Sequence, residues 1–415
     1  KLGLKTLLIE RGIHLGGTMT SGLVVPVMMN GSHQINTDFY HILIDEMNKV
    51  GGQISYQNNP GWFNPELMKI VLDKMMKDVG VEVRFNAEAK DVKISSNHVL
   101  SIEINKEILS VYNETVDTDN NQPNKYKPLS VYIEANYFVD ATGNGDFANK
   151  INCQFLEMKS EYQPMSLRFI MSGIDLKVFS DWLLELDKDR NVTTVEYINQ
   201  DIHLSTAYTW DSDKHWALAP YFDKAVKDGI LKDTDRNYFQ IFTIAGMPDS
   251  LAFNCPRIPE NLNPNLVKDS TIALIEAREA ILRLSVFCKK YFPGFRHAFI
   301  SNIADCLGVR VSNRIKGKYV YTIDDLKSGR EFENPALISN YPVDVHNKSK
   351  NNSTLEKTGE YQLPIESLMS YDYDNLFIVG RGISADYMSQ GALRVQASCF
   401  SMGEAVAKYM KKQLG

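Results

Sequence analysis

Asn375-Leu376-Phe377-Ile378-Val379-Gly380-Arg381-Gly382 is an apolar run closed by a glycine turn. It is too short for a helix and does not alternate, so it reads as a strand buried on both faces, as in a parallel sheet. Some ten residues on, Gln390-Gly391-Ala392-Leu393-Arg394-Val395 opens a helix expected to run from about Leu393 to Lys411. Strand, glycine turn and helix N-terminus together suit a ligand with negative charge, because the first turn of a helix carries unpaired amides and a partial positive charge. The plainer reading is a glycine turn ahead of a core helix.

The other end of the chain has the same character. Thr6-Leu7-Leu8-Ile9-Glu10 is a second short apolar run, bounded by Arg11-Gly12. In a doubly wound sheet, an acidic residue at the carboxyl end of the second strand accepts hydrogen bonds from an adenosine ribose, and Glu10 stands at that position. It can equally be a solvated strand-end glutamate. Gly16-Gly17-Thr18 follows, where adjacent glycines let backbone amides approach a phosphate. The opening at Lys1 is abrupt, and the expectation is that a strand and a GxGxxG loop precede it.

Between the ends, helices are expected near Phe39 to Val50 and from Pro65 to about Val79, the second capped by Asn64. Strands are expected at 81–85, at 91–104 with a break near Ser95 to Asn97, and at 132–139. The polar stretch from Asn113 to Lys127 reads as a surface loop or hairpin tip. The third apolar strand stops at Asp140-Ala141-Thr142-Gly143-Asn144-Gly145-Asp146, where Asp146 either faces a ligand or heads a short helix from Phe147 to Lys150. The block from about 155 to 364 looks less regular, strand-like at 167–171 and helical from Ser270 to Tyr291. The expected architecture is α/β: a Rossmann-like nucleotide domain from 1–155 and 365–415, interrupted by an α+β cap domain at 156–364.

Composition narrows the function. With 44% hydrophobic residues in 415, a large core is available. A net charge of -6 gives no reason to expect a nucleic-acid partner. No run of about 18 apolar residues exists, so no transmembrane segment is expected, and the expected setting is the cytoplasm. Cys153, Cys255, Cys288, Cys306 and Cys399 are scattered without a CxxC pair. They read as reduced core residues, not as a disulfide framework, metal site or iron–sulfur ligands.

Taken in order, Glu10, Gly16-Gly17-Thr18, Asn64-Pro65-Glu66, Asp140 to Asp146, Gly308-Val309-Arg310, Tyr341-Pro342-Val343-Asp344-Val345-His346 and Asn375 to Gly382 resemble the FAD-dependent oxidoreductase family of the glutathione-reductase-like, two-dinucleotide-binding flavoproteins. The resemblance runs over nearly the whole chain. It implies non-covalent FAD stretched across the sheet and covered by the inserted domain. By position, Glu10 would hold the adenosine ribose, and Ala89 would meet adenine. Arg11, Gly16, Gly17 and Thr18 would line the pyrophosphate and approach the flavin. Ala141, Thr142, Gly143 and Asp146 would flank the pyrophosphate and ribityl chain. Gly380, Arg381, Ser384, Gly391, Leu393 and Arg394 would surround the ribityl and isoalloxazine.

On the substrate side, Asp344 and His346 lie two apart in an extended run and share one face. A histidine there can move a proton, and the carboxylate is expected to orient it and raise its pKa. The alternative is a surface histidine, since Asn347 to Asn352 is strongly polar. Arg310 and Arg314, with Arg257, can clamp an acidic substrate or pair with carboxylates between domains. His14, near Gly16, invites covalent flavin attachment, which the resemblance does not support. The function expected is an FAD-dependent oxidoreductase that takes a hydride from a small-molecule substrate and passes electrons to an acceptor the sequence does not name. The competing class is a non-catalytic or electron-relay flavoprotein subunit. A homo-oligomer stays open.

Overall fold

The computed structural model describes all residues except Lys1, 29–34, 108–128, 159–161, 191, 209–215, 259–260, 347–352 and 357. The polar stretches from Asn113 to Lys127 and from Asn347 to Asn352 lie outside the described residues. The architecture is mixed α/β. Near the amino end, β1 (Leu7–Ile9) pairs in parallel with β4 (Glu82–Arg84), with Leu8 opposite Val83. The crossover between them holds α1 (Asp38–Lys49), a hairpin of β2 (Gln53–Tyr56) and β3 (Asn59–Phe63), and α2 (Pro65–Asp78). The α2 start follows from its sequence: the Asn64 side chain accepts from the Glu66 and Leu67 amides at 3.0 and 3.2 Å. Its buried Met68, Val71, Leu72 and Met75 recur at helical spacing.

Next come β5 (Ala89–Ser95), β6 (His98–Glu107) and β7 (Leu129–Glu134) in a three-stranded antiparallel sheet. The single strand expected at 132–139 is in fact two. β7 ends in that sheet, and β8 (Phe138–Asp140) leaves it to pair in parallel with β19 (Leu376–Ile378), Asp140 facing Ile378. This pairing brings the amino-terminal third of the chain to its last fifty residues.

The middle of the chain is more regular than expected. β9 (Phe169–Ser172), β10 (Thr194–Ile198), β11 (Asp201–Tyr208), β12 (Phe239–Ile244), β13 (Met247–Phe253) and β14 (Phe299–Ile303) form one sheet, ordered β10-β11-β12-β13-β9-β14. β9 is buried along its whole length, so no in-out alternation marks it in the sequence. Helices α4 (Leu176–Leu186), α5 (Ala219–Lys227) and α6 (Val267–Tyr291) pack with it. Phe287 of α6 sits 4.5 Å, centroid to centroid, from Phe222 of α5. The core around this sheet also takes in Leu15, Val27, Met47, Trp62 and Ala397.

The remaining elements are α3 (Asp146–Lys150), α7 (Ile323–Ser328), β15 (Pro335–Ser339) paired with β18 (Tyr361–Pro364), and β16 (Val343–His346) paired with β17 (Ser353–Glu356). The single closing helix expected from Leu393 is interrupted. α8 (Tyr387–Leu393), capped by Asp386 through the Ser389 amide at 2.8 Å, ends before Arg394-Val395, and α9 (Gln396–Leu414) begins anew.

Asn375 fastens these layers. Its side chain accepts from the Val99 amide at 3.0 Å and donates to the Val99 carbonyl at 2.8 Å and the Asn136 carbonyl at 3.2 Å. Asn375→Leu leaves those buried groups unpaired, which costs about 1–3 kcal/mol for each group so stranded. A drop in the chemical-denaturation midpoint at unchanged slope is the expected result.

Candidate functional site

The turn after β8 is built on Asp140. Its carboxylate is almost fully buried and accepts from the Thr142 amide at 2.9 Å, the Thr142 hydroxyl at 2.7 Å and the Ala148 amide at 2.9 Å. The Thr142 hydroxyl oxygen in turn accepts from the Asp146 amide at 2.8 Å. Asp146 is therefore the first residue of α3 and not its cap; Gly145, at φ 70°, holds the cap position. Burial lifts the Asp146 carboxyl above its usual range, while the Arg11 and Arg381 charges pull the other way. Ala141 and Thr142 are exposed on the same turn.

Arg381 lies directly on this turn. It donates to Asn144 Oδ1 at 2.7 Å, and a Cβ added to Gly143 would stand 2.7 Å from its guanidinium. Gly143 and Gly380 both have positive φ, 79° and 83°, so both turns require glycine. On the opposite flank, the Glu10 carboxylate accepts from the Gly12 amide at 2.6 Å, and its carbonyl accepts from the Ala87 amide at 3.0 Å. Ala89 opens β5 just beyond. Gly16 has φ 103°, Gly17 is exposed, and the Thr18 carbonyl accepts from the Val24 amide at 2.9 Å. His14 sits between Ser21 Oγ (3.4 Å) and Asp305 Oδ2 (3.3 Å).

So Glu10 and Arg11, the turn from Ala141 to Asp146, and Gly380-Arg381 converge. Three expected residues do not present side chains to this neighbourhood. Ser384 is fully buried, with its amide donating to the Ser367 carbonyl at 3.1 Å. Leu393 packs in the core with Tyr361 and Phe377. Gly391 is a glycine because β16 crosses it: a Cβ there would lie 2.8 Å from Val345 Cγ2 and 3.2 Å from the Asp344 carbonyl.

That crossing sets up a second cluster. His346 Nε2 is 3.4 Å from Asp344 Oδ1, and Arg394 donates to the Asp344 carbonyl at 2.8 Å with its carboxylate 3.5 Å away. Ser166, just before β9, bridges Arg257 on one side and Gly308 on the other. Arg168, Arg257 and Arg310 thus come from three neighbouring extended segments. Gly308 is small because a Cβ there would meet Ser166 Oγ at 2.7 Å. Arg257 stacks on the Tyr238 ring at 3.4 Å from its centroid, and Arg310 donates to the Pro164 carbonyl at 2.7 Å. Gln163 Oε1 accepts from the His346 amide at 3.1 Å. Arg314 does not join the cluster; it is buried and donates to the Ala385 carbonyl at 3.2 Å.

Charge in this cluster is lopsided. Burial, then repulsion from Arg257, Arg394 and Arg168, pushes the Arg310 pKa well down. Burial raises the Asp344 carboxyl, but His346, Arg394 and Arg310 outweigh it and hold the group well below its normal value. His346 departs from expectation: burial and the Arg257 and Arg310 charges drive its pKa well below 6.5, overcoming the carboxylate. Arg168 was invisible as a site residue, although a lone arginine in the apolar run Met165 to Met171 is its signal.

These features fit a flavin dinucleotide. Positive-φ glycines expose backbone amides, Arg381 spans the two turns, and its Nε is buried without a partner. A family model described as FAD dependent oxidoreductase matches residues 1–411. No curated protein matches. Among solved structures, the chain is similar to the myxobacterial chondrochloren halogenase CndH, with 12% identity, all of this chain and 70% of that one covered, and a TM-score of 0.45. It is also similar to a geranylgeranyl bacteriochlorophyll reductase-like protein from Thermoplasma acidophilum, with 11% identity, 99% and 72% covered, and a TM-score of 0.42. A third is p-nitrophenol 4-monooxygenase PnpA from Pseudomonas putida, with 8% identity, 99% and 73% covered, and a TM-score of 0.42. Likenesses this loose carry no argument about chemistry. The family match does, since it spans nearly the whole chain: the protein belongs to the FAD dependent oxidoreductase family.

Proposed function

We propose that this flavoprotein moves a hydride from a small organic substrate to non-covalent FAD, with His346 taking the accompanying proton. The observation that carries the reading is the Asp344–His346 pair at 3.4 Å, held against Arg394 by the β16 crossing at Gly391. FAD, when bound, supplies the two-electron acceptor. Glu10 would take the ribose hydroxyls, and Arg11, Gly16, Gly17, Thr18 and the turn from Ala141 to Asp146 would take the phosphates and ribityl chain. Ala89 would meet adenine. Gly380 and Arg381 would lie along the ribityl, with the backbones of Ser384, Gly391 and Leu393 behind it.

The lowered pKa keeps the His346 imidazole neutral at pH 7, which makes it a proton acceptor. The ionised Asp344 carboxylate fixes the ring through Nε2 and stabilises the imidazolium that forms on proton transfer. The His346 contact, Arg394 and Arg310 outweigh burial and keep that carboxylate ionised. An unidentified acceptor then takes the electrons.

His346→Ala is expected to slow substrate-driven bleaching of the flavin by about 10²–10⁴-fold, with flavin content unchanged; undiminished bleaching would falsify the assignment. In the native protein, the rate of that bleaching should stay level as pH falls from 7 through 6.5 and decline only at more acid pH, because the lowered His346 pKa sets the limb. A midpoint at 6.5 contradicts this environment. Arg381→Met should weaken FAD binding by about tenfold or more, measured by quenching of flavin fluorescence, since a charge-assisted contact is lost.

A further inference from the structure

We infer that Arg168, Arg257, Arg310 and Arg394 form an oxyanion-binding site, and that the substrate carries a carboxylate or phosphate group seated there, with its reacting bond beside His346. The inference rests on the reading of Asp344 and His346 as the substrate side. It adds what that reading lacks, the chemical class of the substrate.

Four guanidinium groups share one neighbourhood, as their mutual repulsion shows. Among the described residues, Asp344 is the one carboxylate within ion-pair distance of any of them, at 3.5 Å from Arg394. With His346 neutral, the cluster has a marked excess of positive charge. A guanidinium does not shed its proton near neutrality, and these four side chains are half-buried, so uncompensated charge held partly away from water carries a cost. An anion relieves that cost.

Hydrogen-bond donors are also in surplus. Gln163 Nε2, Arg257 Nε and Arg394 Nε are all buried without an acceptor. The Gln163 side chain is held in place, because its oxygen already accepts from the His346 amide at 3.1 Å. Its amide nitrogen is therefore fixed as a donor close to the proton acceptor. Arg257 cannot swing away either, since its guanidinium lies flat on Tyr238. Tyr238 is itself anchored through its hydroxyl to Gln240 at 2.8 Å. Planar guanidinium forks at fixed positions match the paired oxygens of a carboxylate or phosphate.

Arg168, Arg257 and Arg310 come from three adjoining segments bridged through Ser166, and Arg394 comes from a separate element, at the C-cap of α8. Separately built segments thus bring the same charge into one neighbourhood. Arg314, four residues beyond Arg310, is instead spent on the Ala385 carbonyl and serves the fold.

The test uses the full-length, flavin-loaded protein at constant ionic strength. Succinate, its neutral diamide and inorganic phosphate are titrated, and the flavin difference spectrum and melting temperature are recorded. Succinate or phosphate should perturb the spectrum and raise the melting temperature, and the diamide should do neither. The tighter of the two anions assigns the group as carboxylate or phosphate. Arg257→Gln and Arg310→Gln should each weaken that binding by about tenfold or more, with Arg310→Lys recovering part of it. Should a glutamine variant not fold, the comparison of anion with diamide in the native protein decides alone. An equal response to the diamide, no response to either anion, or unchanged affinity in both folded glutamine variants overturns the proposal. His346→Ala should keep the anion response, so failure of the proton-transfer role and failure of the anion site are read separately.

Discussion

The close passage of β16 over α8 at Gly391 is the contact on which the site depends. With Val345 Cγ2 2.8 Å from where a Cβ would sit, any side chain at 391 forces the strand outward. The strand carries Asp344 and His346, and the helix ends at Arg394, three residues beyond the crossing. Displacing β16 would separate the carboxylate from the guanidinium. The glycine therefore acts through backbone approach, in a place where its position in a helix would otherwise be a liability of about 1 kcal/mol against alanine.

The electrostatics follow from that geometry. An isolated buried carboxylate is normally pushed up in pKa, and an isolated buried histidine is pushed down. Here His346, Arg394 and Arg310 outweigh burial and lower the Asp344 carboxyl, while burial, followed by Arg257 and Arg310, lowers the imidazole. The outcome is an ionised aspartate beside a neutral imidazole, the pairing a proton acceptor needs. In the function proposed here, charges that help to lower the imidazole belong to the same arginines that are left with little counter-charge, so proton transfer and recognition of an anion would share one physical cause.

Much of the fold was legible because the motifs are backbone motifs. Short apolar runs ending in glycine turns, at 7–10, 138–146 and 376–382, fix strand ends whatever the side chains nearby do, and both terminal pairs are parallel as expected. The helix cap at Asn64 was equally local. What sequence did not disclose depends on long-range burial. The middle sheet hides because β9, and most of β12, are covered on both faces and carry no alternation. The break at Arg394-Val395 hides because the apolar pattern continues across it while the helix axis changes. Arg310 and Arg314 look equivalent at helical spacing, yet they lie on an extended stretch and face different surroundings. The His346 pKa is lowered first by burial and then by Arg257, almost ninety positions away in sequence, and by Arg310, and no local pattern encodes either.

Gln390 joins the two halves of the chemistry. It is fully buried, and its amide nitrogen donates to the Arg310 carbonyl at 3.1 Å and the Arg381 carbonyl at 3.2 Å. One backbone belongs to the arginine cluster, and the other to the turn that lies on Gly143. A single side-chain amide thus ties the arginine-rich segment to the turn on Gly143, next to the glycine that admits β16. The sequence Gln390-Gly391 therefore does two jobs in adjacent positions: one residue joins the Arg310 and Arg381 backbones, and the other admits the strand that carries Asp344 and His346.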